Sequence, residues 1–515
     1  MRRSLPWIIL GVFSIYVAAC LAAAMMRPVR SRGGFNLAAF GRLPAALNGR
    51  VQPIDSVARL GLLQIRGTVT LPLENTRSWQ FWRRTRLDAT EWLLELLTTP
   101  DMADGRKIFP IQDPTLIGTL GLNAAESGPV YHAFAELAPK LDAIGKHALR
   151  ITKLKAASRA PWERELLKLR NALVIYEGLK NTLQPNSFLQ HEARGKPVGY
   201  DFAALLTQYQ ADLRVGVKAA IARQHGAEEP LDKATEERMR AFARPYASVS
   251  RAGLLAVIPP ADPTKFRDRW HNIGTMLVDS ARTGYLPLPV GHFAAMSSAF
   301  VQGRPEVFNG VVTKYRQWLT SNGLAPEASK ARYEFFYNLF QPFVRAIAIY
   351  LVAFLLVCAS WFKRSTALYR SAAMLIALAW VLHTAGLSFD MMLEGRPPVT
   401  NVYASVIFAG WGVVLLAATV EWYWHNGVGM VTAPLAGLIA LIVAHSLAPG
   451  GAVGVMRAAL DMSFWLAAVA MVIALHLGRD AGTRPEPSVT ESARGSAGKA
   501  SRWRLGILRH RAPSF

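Results

Sequence analysis

The chain has 515 residues, of which 51% are hydrophobic, and its formal net charge is +23. Such a length allows roughly two or three domains, and the hydrophobic fraction is high for a soluble protein. The positive charge favours contact with anionic lipid headgroups, whereas no Lys/Arg run interleaved with aromatic residues forms a nucleic-acid reader. Both cysteines, Cys20 and Cys358, lie inside apolar segments, which excludes a disulfide framework, a CxxC redox pair and a structural zinc site.

The first predicted element is an uncharged segment, Leu5 to Met26, which follows two arginines. Its length of about 22 residues is enough to span a bilayer and exceeds that of a typical signal-peptide core. The sequence VAAC at 17–20 resembles a lipoprotein cleavage box, but apolar residues continue beyond the cysteine. We therefore interpret residues 1–26 as an uncleaved N-terminal membrane anchor.

Residues 27–340 form a moderately polar region without a segment that could span a membrane. Charged and apolar residues recur at helical spacing; from Asp88 to Leu97 the pattern predicts a capped amphipathic helix. Alternation typical of strands is rare. The region is predicted to be a large, mostly helical domain.

Five further apolar segments follow, at about 343–362, 369–389, 403–424, 429–447 and 463–478. With the anchor they predict a mainly α, polytopic membrane protein of about six spans, in which residues 341–478 form a five-span domain. The tail, 479–515, is rich in Ala, Gly, Ser, Arg and Pro and is predicted to be disordered.

Orientation follows from the charge of the short loops. Basic residues at 2–3, at 363–370 and in the tail alternate with loops of little or mixed charge. The positive-inside rule places these basic groups in the cytoplasm. Both termini are then inside, and the 27–340 domain is extracytoplasmic.

The most informative stretch runs from His383 to Trp411, HTAGLSFDMMLEGRPPVTNVYASVIFAGW. Its double proline cannot continue a helix and holds a polar loop open between two spans. Tyr403 and Trp411 suit the edge and body of a membrane span. Arg396 could pair with a carboxylate such as a heme propionate, or contact a lipid headgroup or Glu394.

Two histidines lie in the outer parts of predicted spans, whereas His476 lies at the inner, interfacial end of the last one. His383 and His445 fall in the outer parts of two outward-running segments, at similar predicted depth. An ionisable residue inside a span is a candidate functional residue, and imidazoles on two facing helices are typical axial heme ligands. The alternative role is a hydrogen bond to a neighbouring helix. The histidines of the soluble domain show no metal-ligand spacing, and no catalytic motif stands in a plausible context.

The segment GRPPVTNVYASVIFAGW resembles the loop-and-span signature of CcsA-type (ResC-type) cytochrome c biogenesis proteins, in which Pro-x-x-Asn-x-Tyr leads into a Trp-ended helix. Three further features support the resemblance. GRVQPIDSVAR at 49–59 is similar to an element near the start of the large domain in long family members. YEFFYN at 333–338 is similar to the entry to the family's first core span. LIVAHSLAPGG and AALDMSFWL follow in the family's order.

The resemblance implies a helical membrane fold that presents heme b at the outer surface for transfer to the CxxCH thiols of apocytochrome c, in system II maturation at the bacterial inner membrane. It also implies a ResB-type partner subunit. The implied heme-binding residues are His383, His445, Arg396, Asn401, Tyr403 and Trp411, with the two histidines as iron ligands.

The sequence departs from the family in two places. The Trp-rich loop WGxxWxWD does not occur in it, and Val469 stands where the family has a histidine. We therefore expect a component of a heme lyase without a complete catalytic site of its own, dependent on a separate polypeptide that carries the loop. The alternative is a non-catalytic membrane scaffold for assembly of a respiratory or cytochrome complex. A transporter is disfavoured because the spans show no inverted repeat.

Overall fold

A computed structural model describes residues 4–25, 32–72, 86–122, 130–183, 185, 201–225, 232–395 and 402–451. Over these ranges the protein is mainly helical, as the sequence predicts. The helices are α1 Leu5–Met25, α2 Leu37–Gly41, α3 Ile54–Arg66, α4 Ala89–Thr98, α5 Pro100–Asp104, α6 Pro114–Leu120, α7 Phe134–Leu137, α8 Leu141–Thr152, α9 Pro161–Lys180, α10 Phe202–Gln224, α11 Lys233–Ala252, α12 Ile273–Thr283, α13 Leu288–Val301, α14 Pro305–Ser321, α15 Ala325–Phe340, α16 Pro342–Lys363, α17 Thr366–Glu394, α18 Val402–Trp424 and α19 Val428–Gly451.

The described residues also contain three separate two-stranded antiparallel sheets. Their strands are β1 Pro44–Leu47 with β2 Arg50–Pro53, β3 Thr70–Pro72 with β4 Arg86–Asp88, and β5 Lys107–Ile111 with β6 Val130–Ala133. Each strand is three to five residues long, which is too short for an alternating pattern to stand out in the sequence.

The described residues from 32 to 340 are called the globular part here, and helix α4 lies at its centre. The sequence predicts a capped amphipathic helix here, and the helix is present, but every residue from Ala89 to Thr98 is buried. Asp88 occupies the N-cap position without a capping side-chain hydrogen bond. Helices α3, α9 and α13 all pack against α4, and Arg106 donates through Nε to the buried Glu95 at 2.7 Å. The predicted helix is present, but its polar face is buried because neighbouring elements enclose it, and the capping bond predicted from Asp88 is not formed.

Buried apolar side chains form two clusters. The first extends from Phe35 to Leu324 and is the core of the globular part. The second extends from Ala24 to Ala444 and joins the apolar helices near the two ends of the described chain. Within it, α16 packs along α17 and α18 along α19, while α19 also contacts α16 and α1 lies against α17.

Five helical segments of the described chain are long and apolar enough to cross a membrane, as expected of a multi-pass membrane protein. They are Leu5–Met25, the apolar part of Ala325–Lys363, Thr366–Leu393, Val402–Trp424 and Val428–His445. Each corresponds to a predicted span. The sixth predicted span, 463–478, and the basic tail lie outside the described residues.

The second span along the chain, α16, follows directly from α15, a helix of the globular part. Helix α15 ends at Phe340, Gln341 takes a left-handed conformation with φ 48°, and α16 begins at Pro342. Proline suits this first-turn position because its missing N–H would have no helical partner there. The globular part and the span are thus joined by a single residue.

Candidate functional site

His383 lies inside the bundle of apolar helices, and none of its side chain is exposed. Its ring makes edge-to-face contacts with Phe343 and Tyr350 of α16, at centroid distances of 5.7 and 6.2 Å. The Tyr350 hydroxyl lies 3.5 Å from Nδ1. Nε2 is buried and has no partner in the described residues within ordinary hydrogen-bond geometry, although the Ile407 backbone of α18 is near enough to act as a weak hydrogen-bond partner of the ring. A buried nitrogen without a partner is uncommon and calls for an explanation.

Two glycines allow the helices to pack closely around this histidine. A Cβ atom on Gly386 would lie 2.7 Å from Cε1 of Phe343, and one on Gly437 would lie 2.8 Å from Cε2 of Tyr350. Small residues permit such close approach between membrane helices. The rings of Phe343 and Tyr350 beside His383 therefore pack directly on the backbone of α17 and α19.

Trp411 links α18 to the turn of α17 that carries His383. Its Nε1 donates a hydrogen bond to Oγ1 of Thr384 at 2.8 Å. The indole stacks on Trp380 at 5.6 Å and on Phe408 at 5.8 Å. The structure thus brings Trp411 beside His383 through the neighbouring threonine, and the aromatic stack fixes the two helices in register.

The other predicted site residues are placed differently. His445 is exposed near the end of α19, in contrast to the buried His383. Helix α17 continues past its predicted end to Glu394, so His383 lies deeper along its helix than the sequence indicates. Tyr403 is half-buried in the first turn of α18. Arg396 and Asn401 lie outside the described residues.

A buried carboxylate that no sequence prediction singled out closes the opposite end of the bundle. Glu421, only 5% exposed, accepts a hydrogen bond from the Tyr369 hydroxyl at 2.5 Å. It also accepts from the backbone N–H groups of Gly427 at 3.0 Å and Gly429 at 3.1 Å. The signal that could have found it is an acid inside an apolar span.

A polar network joins α3 to α15, the helix of the globular part that leads into the span α16. Asp55 of α3 accepts hydrogen bonds from Arg59 at 2.7 Å and Thr90 at 2.9 Å. The Asn338 amide of α15 donates to Ser56 at 2.8 Å and to Asp55 at 3.4 Å. This network connects GRVQPIDSVAR with YEFFYN, two of the stretches that carry the family resemblance.

The network is completed by Glu334 of α15, which is also buried. It accepts hydrogen bonds from Ser56 at 2.7 Å and from Arg50 at 2.9 Å. One helical turn further on, Tyr337 stacks on Phe389 of α17 at 5.4 Å. A chain of contacts therefore runs from α3 through α15 to the helix that carries His383.

Within the described residues no group of three or more His, Cys, Asp or Glu side chains is arranged to hold a metal ion. No protein-family model matches the chain, and a search of the curated proteins found no significant match.

Proposed function

We propose that this chain is a heme-handling membrane protein of the CcsA type that acts in cytochrome c maturation. The observation that carries the proposal is the imidazole of His383, whose buried Nε2 has no hydrogen-bond partner in the described part of the chain. Because neutral imidazole is the commonest protein ligand of heme iron, an unpartnered nitrogen between membrane helices fits such a ligand. The sequence resemblance around Trp411 supports the same assignment.

The proposed roles follow from residue chemistry. His383 and the exposed His445 are the candidate iron ligands, Arg396 pairs with a propionate, and Asn401, Tyr403 and Trp411 belong to the wall of the site. Heme b is the cargo, and its vinyl groups are what apocytochrome thiols add to. The orphaned Nε2 of His383 fits this group, and the enclosed ring requires helix movement before iron could reach it.

The proposed topology has six spans in a bacterial inner membrane, with both termini in the cytoplasm and the 27–340 domain outside. Its support is the distribution of basic residues among the short loops. The outer domain would hold a ResB-type subunit and apocytochrome c. The Trp-rich loop WGxxWxWD does not occur in this sequence, and in this proposal it belongs to a separate polypeptide.

The test is the absorption spectrum of protein purified from heme-replete cells. We expect a Soret band that weakens strongly in His383→Ala and His445→Ala. His425→Asn is the matched control, because His425 lies in the α18–α19 turn with φ 49° and Asn tolerates that conformation. Heme-free protein, or equal loss of the band in all three variants, would overturn the proposal.

A scaffold without heme is the second candidate, and one observation favours it. The rings of Phe343 and Tyr350 pack directly against Gly386 of α17 and Gly437 of α19. Such close packing suits a permanently closed bundle. In a scaffold, His383 is a packing residue, and heme supply during expression leaves the spectrum and thermal stability of the protein unchanged.

A further inference from the structure

Three arginines of the globular part converge on one cavity of about 320 Å³. Arg42 follows α2, Arg316 lies on α14 and Arg332 lies on α15. Thr313, Thr320 and Ser329 also line the cavity, and no acidic side chain is among the lining residues. The hydroxyls of Thr313 and Thr320 donate to backbone carbonyls of their own helix, so the three guanidinium groups are what makes the cavity electropositive.

These arginines differ from their neighbours in having no acidic partner within the described residues. Arg50 pairs with Glu334 and Arg267 pairs with Glu327 on the same helix, α15. Arg42, Arg316 and Arg332 form no such ion pair in the described part of the chain. Arg316 and Arg332 are exposed and Arg42 is half-buried, so solvent weakens the repulsion among the three guanidinium groups. The fold nevertheless gathers three positive charges around one space without an acid among the lining residues.

Arg42 is the most constrained of the three. Its guanidinium lies over the Phe335 ring, 4.9 Å from the centroid, and its Nε is buried without a hydrogen-bond partner in the described chain. Burial lowers the pKa of Arg42, and the charges of Arg316 and Arg332 lower it further. The group stays protonated at neutral pH, so its charge is held in place and uncompensated.

We propose that Arg42, Arg316 and Arg332 bind a phosphate group. Guanidinium forks match the geometry of phosphate oxygens, and a phosphate monoester carries up to two charges and three acceptor oxygens. A carboxylate offers one charge and two oxygens and would leave the third arginine unpaired. The volume of about 320 Å³ exceeds that of the anion alone and leaves room for an organic substituent.

The phosphate could belong to a soluble molecule or to a lipid headgroup. Arg332 stands eight residues before the end of α15 at Phe340, about 12 Å along the helix axis. Because the span α16 begins just after Phe340, this distance would allow a lipid headgroup at the membrane surface to reach the site. A phosphorylated small molecule could enter it from solution. The site is remote from His383 in the chain, and its test is independent of heme.

The experiment uses the full-length protein in dodecyl maltoside, a detergent without phosphate. Isothermal titration with inorganic phosphate measures binding of the soluble ligand, with acetate for comparison. Native mass spectrometry after mixing with phosphatidylglycerol measures retained lipid. The test variant is Arg316→Ala/Arg332→Ala. The control is Lys314→Ala/Lys330→Ala, which removes the same charge from the same two helices at positions that do not line the cavity.

We expect wild-type protein to bind phosphate or retain phosphatidylglycerol, and the arginine variant to bind at least about tenfold more weakly, because charged hydrogen bonds are lost. The lysine variant is expected to bind as the wild type does. Phosphate binding points to a soluble ligand, and lipid retention alone points to a headgroup. No binding of either ligand, or equal losses in the two variants, overturns the proposal.

Stability without ligand provides a second readout. Because the three guanidinium groups repel one another, the arginine variant is expected to unfold at the same temperature as the wild type or higher. Arg316→Gln, which keeps the packing of the side chain's stem, is the milder variant if the double one does not fold. A fall in unfolding temperature with no change in phosphate binding would assign the arginines a purely structural role.

Discussion

The indole Nε1 of Trp411 donates a hydrogen bond of 2.8 Å to the hydroxyl of Thr384, the residue next to His383. This bond joins the two helices of the hairpin that carries the clearest family resemblance. It sets the position of the turn of α17 on which His383 lies. The contribution of this hydrogen bond to the stability of the protein can therefore be measured separately from any role in heme binding.

Thr384→Val removes the acceptor and keeps the side-chain shape. We expect a loss of about 1–2 kcal/mol in stability, because the indole N–H between two helices is left without its partner. Thermal unfolding in detergent, followed by tryptophan fluorescence, is the measurement. Thr419→Val is the control, since among the described residues the Thr419 hydroxyl bonds only to the Leu415 carbonyl, on the exposed side of α18. Equal effects of the two substitutions would contradict the assigned role.

Glu421→Gln tests the carboxylate that closes the turn between α18 and α19. The amide retains one acceptor oxygen, but its NH₂ group then faces N–H donors of Gly427 or Gly429. A loss of about 1–3 kcal/mol is expected for a buried, charge-assisted network. Tyr369→Phe removes a single donor and should cost less. The prediction fails if Tyr369→Phe is the more damaging of the two in thermal unfolding.

Asp55→Asn tests the link between α3 and α15, the helix that leads into the span α16. Asp55 accepts hydrogen bonds from Arg59, Thr90 and Asn338, so the substitution is expected to destabilise the protein by about 1–3 kcal/mol. Glu236→Gln breaks the exposed ion pair with Arg240 and should have no measurable effect. Limited proteolysis near residue 341 would report loosening of the junction, and an unchanged cleavage rate in Asp55→Asn would argue against the link.

A pH dependence is expected from His292 of α13. Burial lowers its pKa below the ordinary value of 6.5, the Leu288 carbonyl partly offsets this through a hydrogen bond, and Lys314 lowers the pKa further. Because the unfolded chain then binds the proton more readily, His292 contributes no penalty above about pH 6.5 and destabilises the fold as the pH falls below that value.

The measurement for His292 is the difference in unfolding temperature between about pH 7.5 and about pH 5.5. We expect this difference to be smaller in His292→Gln than in the wild type. His147→Gln on α8 is the control for removal of a half-buried histidine from a helix surface. If both substitutions change the pH difference equally, the effect does not come from the environment of His292.

The sequence by itself determined the helical class and the membrane spans within the described residues. Runs of apolar residues long enough to cross a bilayer can be read directly, and each described span agrees with its predicted segment. Residues within one helix, such as His383 and Thr384, could also be placed together, because helical spacing is local. The heme-related function stays a prediction drawn from resemblance.

Only the tertiary structure decided which distant residues meet. Asp55 and Asn338 are far apart in the chain and share a network, and Arg42 meets Arg316 and Arg332 around one cavity. Helix α4 is enclosed on every side although its sequence predicts an exposed face. The physical reason is that burial and pairing depend on the packing of several elements at once, and no local pattern of residues records which elements will be neighbours.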